Sequence, residues 1–558
     1  MIDNMLDPDW WRNAVVYQIY PRSFRDANGD GIGDLQGVRS GLPYLVNLGI
    51  DAIWLTPFYP SPLVDGGYDV TDYRNVDSRL GTMEDFDALV HDAHDLGIKV
   101  IVDIVPNHCS DQHPWFKQAL KEGPDSLMRQ RFVFRKGKGP DGSLPPTNWL
   151  SGVGGSAWEP CGDGWYYLHI FTKEQPDFNW ENEEVRKDFL KTLTFWSDHG
   201  VDGFRIDVSH GLAKDLSEPL RDRPDPANPE PMSDKGDDPL YDRDEVHDIY
   251  REWRKVFNRY DPPRMAIGES WTPITERVYD YARPDELGSV FDFSLSKCDW
   301  DRREYQEAIQ RTWNGFRRVG STPSWVLGNH DVPRVASRLA LPKGADAVDW
   351  VASNGTRPVI DQTVGEARAC AAGMLLLALP GTAYIYQGDE LGLPEDLEIK
   401  EEDIQDPSWE RSGHKVKGRD GCRVPLPWTT SKEYAYGFSA AEGVRPWLPQ
   451  PDWFANYAVQ AEDGRPKSPL ELYKKALKLR RRWVVAEGGT TMKIVEGGDP
   501  GVLHIRLSTG LHCLLNFGPG AVGLGIDGKI ILRSNEACEG AQKDTLPENA
   551  CLWFVEHN

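Results

Sequence analysis

The chain has 558 residues, 39% of them hydrophobic, and carries a formal net charge of −24. Such acidity argues against nucleic acid and anionic membranes as partners, because both require clustered Lys and Arg. The apolar content implies a folded chain with a sizeable core rather than a disordered one. No stretch approaches the ~18 consecutive apolar residues of a membrane span. The opening MIDNMLDPDWWRN lacks the basic and apolar segments of a secretory signal. Eight cysteines (Cys109, Cys161, Cys298, Cys370, Cys422, Cys513, Cys538 and Cys551) show no CxxC or zinc spacing. They fit free buried thiols in a reducing compartment, so a cytoplasmic location is expected.

In chain order, short apolar runs alternate with amphipathic helical patterns. VVYQIYP (15–21) is a strand candidate, followed by Leu35, Val38, Leu42, Leu45 and Leu48 at helical spacing with Gly49 as the stop. IDAIWLTP (50–57) is a second strand. Phe86, Leu89, Val90, Ala93 and Leu96 mark a helix started at Thr82–Asp85 and ended by Gly97. KVIVDIVPNH (99–108) is a third strand. Residues 109–180, rich in Gly, Pro and Trp, form an insertion. Val185, Phe189, Leu193 and Trp196 mark the next helix, and GFRID (203–207) a fourth strand. MAIGES (265–270), SVFDFSLS (289–296), SWVLGNHD (324–331) and GTAYIYQGDE (381–390) complete eight. Residues 391–467 form a long irregular insertion. The last helix of the series, SPLELYKKALKLRRRW (468–483), has Ser468 as cap, Pro469 at its first position and Glu471 to complete a capping box.

Eight strand–helix repeats predict a (β/α)₈ TIM barrel of the α/β class, since parallel strands need crossovers. The domain boundaries expected are 1–108 and 181–483 for the barrel, 109–180 for a loop-rich domain inserted after strand 3, and 484–558 for a C-terminal antiparallel β domain. The last rests on MKIVEG, VLHIRLS, LHCLLNF and CLWFVEH between Gly-rich turns.

Chemistry in such a barrel sits at the C-terminal ends of the strands. Ionisable residues recur there: His108, Arg205, Asp207, Glu269, His330 and Asp331. Carboxylates gathered at one mouth disfavour each other's ionisation, which a purely structural design avoids. A general acid plus a nucleophilic carboxylate is what glycoside hydrolysis requires. Arg205, two residues before Asp207 in an apolar strand, is placed to hold that carboxylate ionised.

With DIVPNH (103–108), GFRID (203–207), GES (268–270) and GNHD (328–331), the chain resembles family 13 glycoside hydrolases, the α-amylase superfamily. QPDFN (175–179) and RDGCRVPLPW (419–428) are similar to motifs of its α-glucosidase and oligo-1,6-glucosidase branch. The resemblance implies Asp207 as nucleophile, Glu269 as general acid/base and Asp331 as the third, sugar-binding carboxylate. It implies His108, Arg205 and His330 as contacts to the sugar before the scissile bond, and Tyr68 as a stacking aromatic. It also implies an Asp69–Arg334 pair that closes the pocket and enforces exo action. The expected activity is a retaining α-glucosidase on short substrates such as maltose, with transglucosylation as a side activity. Val208 after the nucleophile resembles the α-1,6-specific enzymes of the branch, but the continuation Ser209–His210–Gly211 departs from their pattern and resembles α-1,4-glucosidases, so the resemblance leans towards α-1,4 linkages.

DANGDGIGD (26–34) sets Asp26, Asn28, Asp30, the Ile32 carbonyl and Asp34 at alternating positions around Gly31, the first part of an EF-hand-like loop. Gly37 occupies the place of its bidentate Glu. The resemblance implies a structural Ca²⁺ there, remote from the carboxylates. An oligo-1,6-glucosidase or a trehalose synthase-type isomerase are the alternative enzymes. The superfamily's non-enzymatic transporter subunits fit poorly, because this chain keeps all three acids and has no apparent span.

Overall fold

The computed structural model describes residues 7–226, 235–272, 276–486, 489–534 and 545–557. Cys538 and the first six residues lie outside them. All eight barrel strands fall where the apolar runs placed them: β1 Val15–Ile19, β2 Ala52–Leu55, β3 Lys99–Ile104, β4 Gly203–Ile206, β5 Met265–Gly268, β6 Gly288–Val290, β7 Ser324–Val326 and β8 Thr382–Tyr386. They pair in parallel in the order β7-β8-β1-β2-β3-β4-β5-β6. A parallel bridge between Asp292 and Trp325 joins the two outer strands. Every residue of every barrel strand is buried. Helices cover the outer face and side chains fill the inner, which is why the strands read as near-continuous apolar runs.

The helices start as their caps dictate. Thr82 and Asp85 form a reciprocal capping box on helix Met83–Asp95. At helix Pro469–Trp483 only the Ser468 half exists. The Glu471 carboxylate accepts instead from the Gly464 amide and from Lys474, so its reach towards the cap is spent on a local ion pair.

Within 109–180 the chain forms a helix, Pro114–Glu122, and a three-stranded antiparallel sheet of Phe134–Lys136, Trp165–Leu168 and Trp158–Pro160. The tail forms a five-stranded sheet in the order Met492–Ile494, Val502–Leu507, Leu511–Asn516, Cys551–Val555, Lys529–Arg533, all antiparallel. It packs on helix Gln362–Ala378 of the barrel. No helix among the described residues is long and apolar enough to cross a membrane. The seven described cysteines are free.

Candidate active site

The barrel ladder continues one residue past β4 and β5. The Asp207 amide donates to Ile104 O at 2.9 Å and the Glu269 amide to Ile206 O at 2.8 Å. Both carboxylates therefore start from adjacent, hydrogen-bonded backbone positions at the same end of the barrel. Gly268 makes this crowding possible, since a Cβ there would lie 2.8 Å from Ser209 Oγ and 2.9 Å from Leu287 Cδ1. Ser209 clamps the turn from the other side, with its amide and its hydroxyl both donating to Glu269 O at 2.8 Å.

Arg205 is the hub. Its Nη1 donates to Asp207 Oδ1 at 2.7 Å and to both oxygens of Asp103 at 2.9 and 3.1 Å, while Nη2 meets Glu269 Oε2 at 2.8 Å. The cation in the apolar strand thus serves three carboxylates at once. Burial pushes Asp207 well above the usual carboxylate range; Arg205 pulls it down, and Glu269, Asp103 and Asp331 push it further up. Burial, opposed by Arg205, raises Asp103 to about 7. One guanidinium among three buried acids leaves the group disposed to keep a proton, which is the resource an acid-catalysed cleavage needs.

Asp331 faces the opposite balance. Burial raises it, but His330, Arg419, Arg423 and Arg205 together bring it well below the usual range. His330 is itself held neutral by burial. The arginines therefore do most of this, and Arg419 Nη1 and Arg423 Nη2 reach Asp331 Oδ1 at 3.0 and 2.9 Å. The Gln18 amide donates to His330 Nδ1 at 2.6 Å, so Nε2 carries the ring proton and faces the Tyr68 hydroxyl at 2.8 Å. Tyr68 and His330 lie parallel, 5.5 Å apart. The Tyr68 hydroxyl in turn donates to Asp103 Oδ2 at 3.2 Å.

The expected Asp69–Arg334 pair does not form. Asp69 is fully buried and accepts from Ser61 Oγ and from the Val64 and Asp65 amides at 2.9–3.1 Å. Burial pushes it up to about 6. Arg334 donates to the carbonyls of Gln387 and Cys422 at 2.7 and 2.8 Å. The charged pair facing the cavity is Asp65–Arg419, at 2.7 Å. The reason is the turn. Gly66 and Gly67 take φ of 60° and 109°, which carries the chain back so that Asp65 lines the cavity beside Tyr68. Asp69 holds that turn from behind. Arg419 spends each arm of its fork on a different carboxylate: Nη2 on Asp65, Nη1 on Asp331 and Nε on Asp406 at 2.5 Å.

Asp65, Tyr68, Asp207, Glu269, Asp331 and Arg419 line a cavity of about 400 Å³ together with His108, Gly152, Val153, Ile170, Phe171, Val208, His210, Tyr241, Trp271 and Ser408. Burial lowers His108 to about 4, so its ring is neutral at ordinary pH. The Gln175 amide bridges it to Asp65, at 3.1 Å from His108 Nε2 and 3.2 Å from Asp65 Oδ2. Of the nine expected catalytic and sugar-binding residues, Tyr68, His108, Asp207, Glu269 and Asp331 line the cavity. Arg205 and His330 stand directly behind them, and Asp69 and Arg334 do not face it. Sequence reasoning missed Asp65, Asp103, Trp271, Arg419 and Arg423. Most lay inside stretches already singled out: Asp103 opens DIVPNH, and Arg419 opens RDGCR.

Loop 26–34 lies apart from this constellation. Asp26 accepts from the Gly29 and Gly31 amides, Asn28 from Asp30, Asp30 from Ile32, and Asp34 from Ala27, Asn28 and Gly37. Its carboxylates are thus committed to Asx turns and, at Asp34, to the cap of helix Leu35–Leu48. Among the described residues no group of three or more His, Cys, Asp or Glu is gathered as a metal site.

A closed eight-stranded parallel barrel with a buried Arg–carboxylate hub at its strand ends and a charged, walled cavity above it defines the class: a glycoside hydrolase of the barrel type. Residues 18–488 match the family model described as the alpha amylase catalytic domain, and the chain belongs to that family, glycoside hydrolase family 13. It is similar to a probable alpha-glucosidase of Rhizobium meliloti (strain 1021), 37% identical over 91% of this chain and 90% of the relative. An oligo-1,6-glucosidase of Parageobacillus thermoglucosidasius is 36% identical over 91% and 89%. Among solved structures, an alpha-glucosyl transfer enzyme, XgtA, superposes with a TM-score of 0.81 at 32% identity, covering 98% of this chain and 99% of that one.

Proposed function

We propose that the chain is a retaining, exo-acting α-glucosidase that removes single terminal glucosyl units from short α-glucosides, with α-1,4 linkages preferred. Asp207 is the nucleophile and Glu269 the acid/base. In the first step Glu269 gives its proton to the glycosidic oxygen as the bond to C1 breaks and Asp207 closes on C1. In the second, Glu269 takes a proton from the incoming water or alcohol as its oxygen bonds to C1, and the bond between C1 and Asp207 breaks, releasing the Asp207 carboxylate. That one guanidinium holds both carboxylates supports the close spacing of retaining enzymes, ~5–5.5 Å. Asp331, kept anionic by Arg419 and Arg423, and the neutral His108 bind the hydroxyls of the terminal sugar, while His330, behind the cavity wall, holds the Tyr68 hydroxyl. The apolar wall of Val153, Ile170, Phe171 and Tyr241 supports transfer to alcohol acceptors, since it lets an acceptor displace water.

The observation that carries the exo reading is the Asp65–Arg419 pair joined to Asp331. Its charge-assisted donors and acceptors line the cavity, which supports a closed end where a chain's next sugar would otherwise run. The test is a reducing-end-labelled maltoheptaose ladder. Loss of one glucose at a time supports a closed pocket, and early mid-length fragments would show an open cleft. Run beside it, maltose, isomaltose, sucrose and trehalose with product analysis decide between α-1,4-glucosidase, oligo-1,6-glucosidase and isomerase.

A further inference from the structure

Trp271 lines the cavity two residues after Glu269, and the chemistry above gives it no role. Its indole Nε1 donates to Glu269 Oε1 at 2.9 Å. Its ring is fixed from behind by Phe293, stacked at 4.4 Å and 11°, and by Lys297, whose ammonium sits 5.2 Å from the ring centre. The other carboxylate oxygen, Oε2, faces Arg205 Nη2 at 2.8 Å and the Val208 amide at 3.2 Å. Val208 has a left-handed backbone, φ 46°, a conformation a β-branched residue rarely takes.

The two oxygens of Glu269 are therefore unlike. Oε2 meets a cation and an amide, both donors, so a proton there would displace a charge-assisted bond. Oε1 meets one neutral donor that cannot accept. It keeps a lone pair free to hold the mobile proton. The charged and titratable groups around Glu269 are Arg205 and Asp207 at the end of β4, Asp103 from β3, His210, which lies against the Glu269 backbone, Asp331, which shares the cavity, and Lys297 across the indole.

We infer that Trp271 is a positioning residue for proton transfer: its indole N–H aims Oε1 of Glu269 at the glycosidic oxygen and stabilises the carboxylate left behind. This rests on Glu269 as the acid/base. No atom of Trp271 is transferred; the proton passes from Glu269 Oε1 to the leaving oxygen and returns from water.

Trp271→Phe removes the donor and keeps a ring to stack on Phe293. With maltose, the basic limb of the kcat/KM–pH profile should move up by roughly half to one unit, because an anion loses a hydrogen bond. The rate at neutral pH should fall about tenfold, and much less for an aryl glucoside whose leaving group needs no proton. A basic limb that stays in place, or equal losses on both substrates, would overturn the inference and leave Trp271 as mere cavity wall. Glu269→Gln, run alongside, separates the two readings. If that variant keeps normal maltose turnover, the acid/base assignment itself has failed. If it is inactive while the Trp271→Phe limb is unmoved, only the role of Trp271 has failed.

Discussion

The strand ends and the 391–467 insertion both deliver buried charge to the same cavity, yet they do so by different means. At the strand ends, Asp103, Arg205, Asp207 and Glu269 hang on a hydrogen-bonded ladder whose spacing is set by the barrel. The insertion has no such ladder. Arg419 precedes and Arg423 ends a single helical turn, Asp420–Arg423, and both are held by the carboxylates they bind. One region places its charges by backbone geometry and lets their pKa values adjust. The other places its charges by pairing, so that position and ionisation are the same fact.

The largest effect that follows is at the ladder. Asp207→Asn should lower kcat by about 10³–10⁵-fold, as expected when one member of a unit-acting catalytic group is lost. It should leave the melting temperature level or slightly raised. Burial makes the Asp207 charge a cost to the folded state, and Arg205 keeps Asp103 and Glu269 as partners. Calorimetry and single-turnover kinetics on the same preparation check both halves. A large loss of stability would mean that the backbone ladder does not fix this site by itself.

Next is the insertion. Arg419→Lys keeps the charge but cannot span three carboxylates, because an ammonium lacks the planar fork. It should cost roughly 10²-fold in kcat/KM, mainly through KM, with single-glucose release from labelled oligosaccharides less strict. Arg334→Lys is the contrasting variant. Arg334 donates to two carbonyls rather than to cavity-lining acids. That variant should lower the melting temperature while leaving KM within about twofold. If the two variants exchange behaviours, the closing pair has been assigned to the wrong arginine.

The same contrast explains what was legible in the sequence. Barrel strands, most caps and the strand-end acids could be read because burial on two faces and a fixed ladder leave few alternatives for each residue. The closing pair could not. Asp65 and Asp69 sit four apart in one Asp-rich turn, and only the left-handed Gly66 and Gly67 decide which of them faces the cavity. Arg334 is buried and Arg419 half-buried, both in irregular chain, and sequence spacing says nothing about which meets a carboxylate. Asp103 was hidden for another reason: it lies within an apolar strand whose other residues explain themselves as core.

A smaller effect is the pH dependence of stability. Burial raises Glu395 to about 8, Asp396 to about 7 and Asp420 to about 6 in the insertion, as it raises Asp103 to about 7 at the strand ends. A carboxyl raised on folding binds its proton more tightly in the folded state, so stability falls as pH climbs through the folded value. The melting temperature should therefore drop between pH 5.5 and 8.5 at constant ionic strength. Glu395→Gln should flatten the upper part of that slope. A melting temperature that rises over this interval would contradict the buried, proton-holding carboxyls.

The smallest effect concerns loop 26–34 and Ca²⁺. Asp26 and Asp34 are buried and engaged with loop amides, and Asp34 also caps a helix, so the loop has a folded form that needs no cation. Amide donation still leaves each carboxylate oxygen a lone pair, and the exposed Asp30 and Asn28 keep theirs towards solvent. A Ca²⁺ bound there would stabilise by mass action, about 2.7 kcal/mol at a hundredfold excess over Kd. In a chain of this size that amounts to a few degrees at most. Chelation should lower the melting temperature by that amount and leave kcat unchanged, because the loop does not face the cavity. Asp30→Asn is the informative variant, since it weakens a cation site without touching the cap. It should abolish the Ca²⁺-dependent shift while keeping the metal-free melting temperature. If neither chelator nor added Ca²⁺ moves the wild-type curve, the loop is an Asx-turn network and nothing more.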